Sequence, residues 1–337
     1  MHGWSRGVRT RATIEVYLRL LKRLQRAFVD GTVEVARRAW LVAMFTVITQ
    51  TASAAIPDSE RQVLINLYTS TNGTSWTTST NWNGAAGTEC TWYGVTCDST
   101  DSHVTRLDLN TNHLTGSLSA LQDLKSLNFF SVGTNQLTGT IPNLSGLTDL
   151  FSFNAASNQL SGSIPTLTGL TNLDAIFLAH NQLTGSLPAL TGLSNLRGIA
   201  VNNNQLSGSL PTLMGLTNLM YFYAYNNQLT GSLPSFDGLP NVQSFYVYNN
   251  RLNGPIPDMS GFATIQTFNV SFNQLTGAVP VAPASLVSGG SSLCPNLLDT
   301  APTANDSGWN MATGDTPWWA TPHSTNVCDD IFSDGFE

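Results

Sequence analysis

One arrangement of apolar and polar residues recurs eight times between residues 104 and 280. Apolar residues stand eight, five and three positions before an asparagine, and two and six positions after it, as in residues 173–188. The asparagines recur with a constant period of twenty-three and without insertion, and they are Asn112, Asn135, Asn158, Asn181, Asn204, Asn227, Asn250 and Asn273. We number positions within each repeat from this asparagine, so that −3 is the third residue before it.

Apolar positions −5 and −3 alternate with outward-facing positions, which predicts a short strand with one buried face in each repeat. A single repeat cannot bury its apolar residues alone, whereas stacked repeats form one continuous core. The pattern resembles the leucine-rich repeat, and this resemblance implies an α/β solenoid, a right-handed superhelix with short parallel strands on its concave face and a mostly irregular or 3-10 convex side. We expect the asparagine side chains to satisfy buried backbone groups of adjacent repeats, which is a structural role.

Residues 158–165 read Asn-Gln-Leu-Ser-Gly-Ser-Ile-Pro, and this phrase returns with small variations in every repeat. It resembles the plant-type leucine-rich repeat of receptor-like kinases and polygalacturonase-inhibiting proteins. Residues 58–68, 90–97 and 103–109, together with Trp82, resemble the N-terminal cap of that family, in which residues 58–68 form a helix. The resemblance implies an extracellular recognition module.

Two features depart from that family. The period is one residue shorter than the family's usual repeat, and no glycine-rich loop, H-R-D or D-F-G motif of a kinase appears. Only the recognition module therefore carries over.

Residues 331–337 resemble a tail found on exported proteins of some gammaproteobacteria, which suggests a bacterial source.

The N-terminal residues have the layout of a secretory signal. Nine of the fourteen basic residues lie in the first 38, and an apolar run at 39–49 and small residues at 51–55 follow them. The run is shorter than the roughly 20 residues that span a bilayer. We predict a signal peptide at 1–54, a cap at 55–103, repeats at 104–280, and a C-terminal cap with a tryptophan-rich tail at 281–337. A true start nearer Val33 and an uncleaved membrane anchor are the alternatives.

The excess of acidic residues restricts the kinds of partner that we expect the protein to bind. From Ala55 onward the chain carries five basic and eighteen acidic residues. Such a surface repels phosphate backbones, so we expect no nucleic acid partner. We also expect no transmembrane span once the signal is removed, and a secreted or cell-surface location.

Four cysteines follow the predicted cleavage site, and an even number in an exported chain indicates disulfides. Three pairings are possible; proximity in sequence favours Cys90 with Cys97 and Cys294 with Cys328. Zinc is the alternative, but neither pair has the usual Cys-x2-Cys spacing with histidine partners. We therefore predict neither metal nor cofactor.

Alternation of side chains along each strand places positions −6, −4 and −2 on the solvent side of the concave face. In repeats six and seven these positions hold five tyrosines: Tyr221, Tyr223, Tyr225, Tyr246 and Tyr248. Phe177 and Asn202 of repeats four and five complete the predicted ligand-binding set. Tyrosines suit the recognition of peptides or sugars, although cross-strand pairs also stabilise a sheet.

The leading hypothesis is an extracellular module that binds a protein or peptide through its concave face. A carbohydrate-binding adhesin, using the tyrosines or Trp309, Trp318 and Trp319, is one alternative, and an inhibitor of a secreted enzyme is another. Catalysis finds no support, because no serine or cysteine is placed by a motif as a nucleophile and His180 is best explained as a turn residue.

Overall fold

The computed structural model describes residues 55–319 of the chain. The predicted signal peptide, the tail beyond residue 319 and Cys328 lie outside these residues. Helix α1 (Asp58–Ser70) opens the described part, and two 3-10 helices (Gly73–Ser75 and Glu89–Thr91) follow it. Strand β1 (Val95–Cys97) then pairs antiparallel with the strand of the first repeat.

The repeats form a solenoid with one long parallel sheet, as predicted. Each repeat contributes one strand, and the strands follow chain order across the sheet. They are β2 (Val104–Asp108), β4 (Phe129–Ser131), β6 (Ser152–Asn154), β8 (Ala175–Phe177), β10 (Gly198–Ala200), β11 (Tyr221–Tyr223), β13 (Ser244–Tyr246) and β15 (Thr267–Asn269). Each residue of a strand pairs with the residue one full period later in the next strand, so equivalent positions of all repeats form columns.

A second set of short parallel strands follows the asparagine of most repeats, and the sequence pattern did not predict it. These strands are β3 (Thr115–Ser117), β5 (Gln136–Thr138), β7 (Ser161–Ser163), β9 (Gln182–Thr184), β12 (Thr230–Gly231), β14 (Arg251–Gly254), β16 (Gln274–Gly277) and β17 (Leu297–Leu298). The convex returns between them and the next repeat are irregular, as predicted. Both 3-10 helices of the described residues lie in the N-terminal cap.

The asparagine column forms the predicted ladder. At Asn204 the side-chain nitrogen donates to the carbonyl oxygens of Leu178 (3.0 Å), Val201 (3.0 Å) and Asn202 (3.3 Å). The preceding asparagine, Asn181, accepts a hydrogen bond from the backbone nitrogen of Leu160 (2.9 Å), one repeat earlier. Each asparagine thus joins two neighbouring coils and replaces backbone hydrogen bonds that the turn leaves unmade.

The ladder extends one step beyond the eight predicted repeats. Asn296 stands one full period after Asn273, donates to the carbonyl oxygen of Val270 (2.9 Å) and accepts from the backbone nitrogen of Leu275 (2.9 Å). The region predicted as C-terminal cap therefore begins with a ninth, degenerate coil. Its apolar positions −8 and −5 hold serine, which hid it from the sequence pattern.

The N-terminal cap packs tryptophans against the open edge of the first repeat. Trp82 contacts the rings of Tyr68, Trp76 and Trp92 with centroids 4.9–5.8 Å apart. A disulfide joins Cys90 to Cys97, as predicted. Glu60 of α1 is buried; its carboxylate accepts from the backbone nitrogen of Val104 (2.7 Å) and lies 2.6 Å from His103 Nδ1.

The region predicted as C-terminal cap and tryptophan-rich tail contains a helix, α2 (Asp306–Thr313). Trp309 of this helix is completely buried, lies 6.1 Å from the ring of Phe268, and donates from Nε1 to the carbonyl oxygen of Pro280 (2.8 Å). Trp318 is also buried. The proposed use of Trp309 and Trp318 as sugar-stacking platforms is therefore wrong, because their rings cover the end of the core.

Candidate functional site

Five tyrosines of repeats six and seven form one patch on the concave face: three lie on β11 and β13, and the other two lie two residues beyond the ends of these strands. This tyrosine patch comprises Tyr221, Tyr223, Tyr225, Tyr246 and Tyr248. Two pairs stack across the strands: Tyr223 with Tyr246 at 5.2 Å and Tyr225 with Tyr248 at 4.4 Å between ring centroids. On the core side, Phe222 and Phe245 of these strands stack with each other at 5.1 Å, and Phe245 stacks with Phe268 of the next strand, β15, at 5.7 Å. The core of these repeats is thus already packed without the tyrosines.

The tyrosine hydroxyls are held by neighbouring side chains. Tyr221 donates to Gln243 (2.9 Å) and Tyr246 donates to Thr267 (2.9 Å). The rings are therefore fixed before any ligand arrives, which lowers the entropy that binding must remove.

The electrostatics of the patch keep it neutral. Burial raises the pKa of Tyr223 and of Tyr248 above the ordinary tyrosine value of 10.0, and the neighbouring tyrosines raise each pKa further. At neutral pH the patch thus offers aromatic faces and uncharged hydroxyl groups.

Beside the patch, repeats four and five form a floor of small residues. Ala175, Gly198 and Ala200 are buried, while Phe177 is 39% exposed and rises from the floor. Asn202 was predicted to face solvent with them, but it is only 4% exposed. That prediction is wrong: strand alternation gives the direction of a side chain but not how far larger neighbours cover it.

The first three repeats present a polar network and one aromatic ring, that of Phe129, whose centroid lies 3.5 Å from the guanidinium carbon of Arg106. Arg106 pairs with Asp108 (2.7 Å), Asn110 donates to Asp108 (3.0 Å), and Ser131 donates to Asn110 (2.8 Å). The network closes over Gly133, where an added Cβ would lie 2.9 Å from the side chain of Asn110. These groups satisfy one another, so this half of the concave face offers few free hydrogen-bonding atoms.

A groove along one edge of the sheet was missed by the sequence analysis. This entry groove lies where the chain enters the concave strands of repeats three to six, and it has a volume of about 510 Å³. Its lining residues occupy positions −9 and −7 of their repeats, and they are Asp149, Phe151, Asn172, Asp174, Asn195, Arg197 and Asn218. The signal available in the sequence was Phe151, an aromatic residue at a position outside the apolar pattern.

Other kinds of site find no support in the part of the chain that the structure describes. Between residues 55 and 319 no group of three or more histidine, cysteine, aspartate or glutamate side chains is placed to hold a metal ion. No helix in the same range is both long and apolar enough to cross a membrane. His180 adopts φ 56° at the turn before Asn181, as expected of a turn residue.

The chain resembles known proteins in the sequence of its N-terminal cap and in its fold. The family described as leucine rich repeat N-terminal domain matches residues 57–98. The LRR ectodomain of the plant membrane receptor kinase GASSHO1/SCHENGEN3 from Arabidopsis thaliana, in complex with CASPARIAN STRIP INTEGRITY FACTOR 2, is 30% identical with a TM-score of 0.66. That match covers 71% of this chain and 30% of the ectodomain.

The structure of PEPR1 with AtPEP1 is 23% identical with a TM-score of 0.51, and the match covers 72% of this chain and 42% of PEPR1. At this identity the likeness shows the fold alone. The chain therefore spans less than half the length of either ectodomain that it matches.

Proposed function

We propose that this chain, a plant-type leucine-rich-repeat protein, recognises a protein or peptide ligand through the tyrosine patch on its concave face. The observation that carries the proposal is the arrangement of five tyrosines on β11, on β13 and just beyond the ends of these strands. Because the phenylalanine stack already fills the core beneath them, the patch adds a surface that core stability does not require. The ectodomain of GASSHO1/SCHENGEN3, which shares the fold, forms a complex with a partner.

The chemistry of the patch favours a ligand with apolar or aromatic groups that also makes hydrogen bonds. Tyr221 is 37% exposed, and the four other rings are half-buried. Rigid tyrosines provide a large contact area at low entropic cost and often dominate binding energy when they lie at the centre of an interface. We further propose that the protein acts outside the cell, which agrees with its disulfide, and that it binds without catalysing a reaction.

Polysaccharide binding is the second candidate, and it depends on the tyrosines and Trp319. Trp309 and Trp318 are buried, so of the three tryptophans only Trp319 keeps partial exposure. Inhibition of a secreted enzyme remains a third candidate that no contact in the structure favours.

The test is a screen of the oxidised protein from residue 55 onward against arrays of secreted proteins, peptides and glycans. We expect a protein or peptide ligand whose affinity falls about 30-fold, roughly 2 kcal/mol, in the variant Tyr223→Ala/Tyr246→Ala. Tyr93→Ala is the matched control, because Tyr93 is an exposed tyrosine of the N-terminal cap.

Each result of the screen has a distinct meaning. Unchanged affinity in the double variant would remove the tyrosine patch as the site. A glycan ligand lost in that variant would replace the peptide hypothesis with the polysaccharide one.

A further inference from the structure

The entry groove lies apart from the stacked pairs of the tyrosine patch and has its own chemistry. Its walls are two columns of side chains, at position −9 (Asp149, Asn172, Asn195, Asn218) and at position −7 (Phe151, Asp174, Arg197). Both columns precede the strands, so the groove opens at the edge of the sheet. A ligand that lies along the groove therefore runs from repeat to repeat, parallel to the solenoid axis.

The asparagines of the −9 column line the groove and use their side-chain nitrogens for hydrogen bonds within the protein. Asn172 donates from Nδ2 to the carbonyl oxygen of Thr148 (3.0 Å), Asn195 to that of Thr171 (2.8 Å) and Asn218 to that of Ser194 (2.9 Å). Each bond ties the amide nitrogen to the preceding repeat. The three amide oxygens receive no hydrogen bond from any residue between 55 and 319 and remain available to a donor on a ligand.

Asp149 breaks the pattern of its column. The four repeats that follow place asparagine at this position, and Asn241 also donates to the preceding repeat, to the carbonyl oxygen of Thr217 (2.8 Å). A carboxylate cannot donate, so repeat three lacks this link. Asp149 is exposed and forms neither an ion pair nor a hydrogen bond through its side chain with the residues that the structure describes. The substitution removes a structural bond and places a negative charge in the groove.

The other charges of the groove cancel. Arg197 donates from Nε to the carboxylate of Asp174, and this pairing raises the pKa of Arg197 above its ordinary value. Asp149 therefore leaves the groove with a net negative charge. Phe151 is 47% exposed in the same groove, and an aromatic face attracts cations.

We propose that the entry groove binds a guanidinium group presented by an arginine side chain of a protein or peptide. The Asp149 carboxylate supplies the opposite charge, the amide oxygens of Asn172 and Asn195 accept its N–H groups, and the ring of Phe151 packs against its planar face. Guanidinium is planar, carries five donors and loses its hydration readily, which fits a groove of acceptors beside an aromatic ring. Fourteen acidic residues against five basic ones in the described range also attract a basic ligand from a distance.

The experiment uses the full chain and the probe N-acetyl-Gly-Arg-Gly-amide, with the citrulline peptide as its uncharged isostere. Backbone and side-chain amide signals are followed by two-dimensional NMR during titration. We expect saturable shifts at Asn172 and Asn195, with an affinity for the arginine peptide at least ten-fold higher than for the citrulline peptide. We also expect the affinity to fall as salt concentration rises.

The main variant is Asp149→Asn, which installs the residue that the next four repeats carry and is expected to fold normally. It should weaken arginine binding about ten-fold, and Phe151→Ala should weaken it as well. Asp237→Asn changes an exposed acidic residue on the convex side and should leave binding unchanged. Tyr225→Ala/Tyr248→Ala should also leave it unchanged, which separates this site from the tyrosine patch.

Equal binding of the arginine and citrulline peptides would overturn the proposal. So would an affinity that Asp149→Asn leaves unaltered, or the absence of any shift at millimolar peptide. None of these results would bear on the tyrosine patch, because the screen that tests the patch measures a different variant.

Discussion

Asparagine performs three separate tasks at the residue scale. The ladder column joins the coils inside the turn, and the −9 column joins them at the outer edge. The column just before the ladder adopts left-handed backbone, with φ of 55°, 54° and 53° at Asn203, Asn226 and Asn249. Asparagine tolerates this conformation better than most residues. Its side chains there also bond one another, from Asn226 to Asn203 (2.6 Å) and from Asn249 to Asn226 (2.9 Å).

Replacing one ladder residue tests the first task. Asn204→Ala leaves the backbone nitrogen of Leu183 without its partner and removes one of the two hydrogen bonds received by each of three carbonyl oxygens. We expect the free energy of unfolding to fall by about 3 kcal/mol, because buried backbone groups lose bonds that water does not replace. Gln205→Ala, at the exposed neighbouring position, should change it little. Urea denaturation of both variants checks the prediction, and equal effects would contradict it.

His103 gives the N-terminal cap a pH dependence. Its hydrogen bond to buried Glu60, followed by the charge attraction of Glu60 and Asp98, raises its pKa above the ordinary value of 6.5. The folded state thus favours protonated histidine. The added stability is complete below pH 6.5 and disappears as pH rises through the higher folded pKa.

Thermal unfolding between pH 5 and 9 measures this effect. We expect His103→Gln to flatten the pH profile in the window above pH 6.5, whereas His113→Gln, which removes a histidine bonded to Thr77, should preserve it. A profile of His103→Gln that matches the wild-type curve would refute the role of the Glu60 contact.

At the residue scale, the sequence predicted those features that recur at a fixed interval along the chain or along a strand. The tyrosine patch followed from alternation along the strand, and the ladder followed from the constant interval between its asparagines. Asn202 and the entry groove did not follow, for two physical reasons. Burial of Asn202 depends on the size of its neighbours, and positions −9 and −7 precede the strand, where alternation no longer fixes the direction of a side chain.

At the scale of elements, the two ends of the solenoid use the same solution. Tryptophan rings cover the open core at both ends: Trp82 and its neighbours under α1, and Trp309 and Trp318 at α2. The cap around α1 could be predicted from its motif, since its tryptophans and cysteines have a recognisable spacing. Helix α2 could not, because it includes Gly308 and its eight residues are too few to reveal an apolar period in the sequence.

Trp309→Ala tests the C-terminal cap. Removing a completely buried indole should cost about 3–5 kcal/mol. In a solenoid each coil contacts only its neighbours, so the loss should appear first in the nearest repeats. We expect hydrogen exchange to accelerate around β15 and β13 and to change little around β4. Met311→Ala, at an exposed position of the same helix, is the control, and uniform acceleration along the chain would contradict this account.

At the scale of the whole molecule, equal repeats make the solenoid modular. Deleting residues 136–158 removes one complete repeat and rejoins Asn135 to Gln159 in the original register. We expect this variant to fold cooperatively, with a lower thermal midpoint and a denaturant m-value reduced by about a tenth, in proportion to the residues removed. Circular dichroism with urea titration measures both quantities.

Deleting only residues 136–146 provides the contrast. This variant leaves half a repeat, so the downstream coils no longer meet the upstream strands in register. We expect it to lose cooperative unfolding. If both deletions behaved alike, the repeats would not be independent modules.

The constant register also places equivalent side-chain positions of the concave face at equal intervals along the solenoid. Neighbouring strands lie about 4.8 Å apart, whereas side chains on one face of an extended peptide recur at about 6.7 Å. The strand spacing and the residue spacing coincide again only after about 20 Å, which corresponds to four strand spacings and three same-face residue spacings. The side chains of a peptide lying across the repeats therefore align with the strands only at certain intervals. Two of its anchors fit together only at certain separations, so spacing alone can reject a ligand whose side chains are otherwise correct.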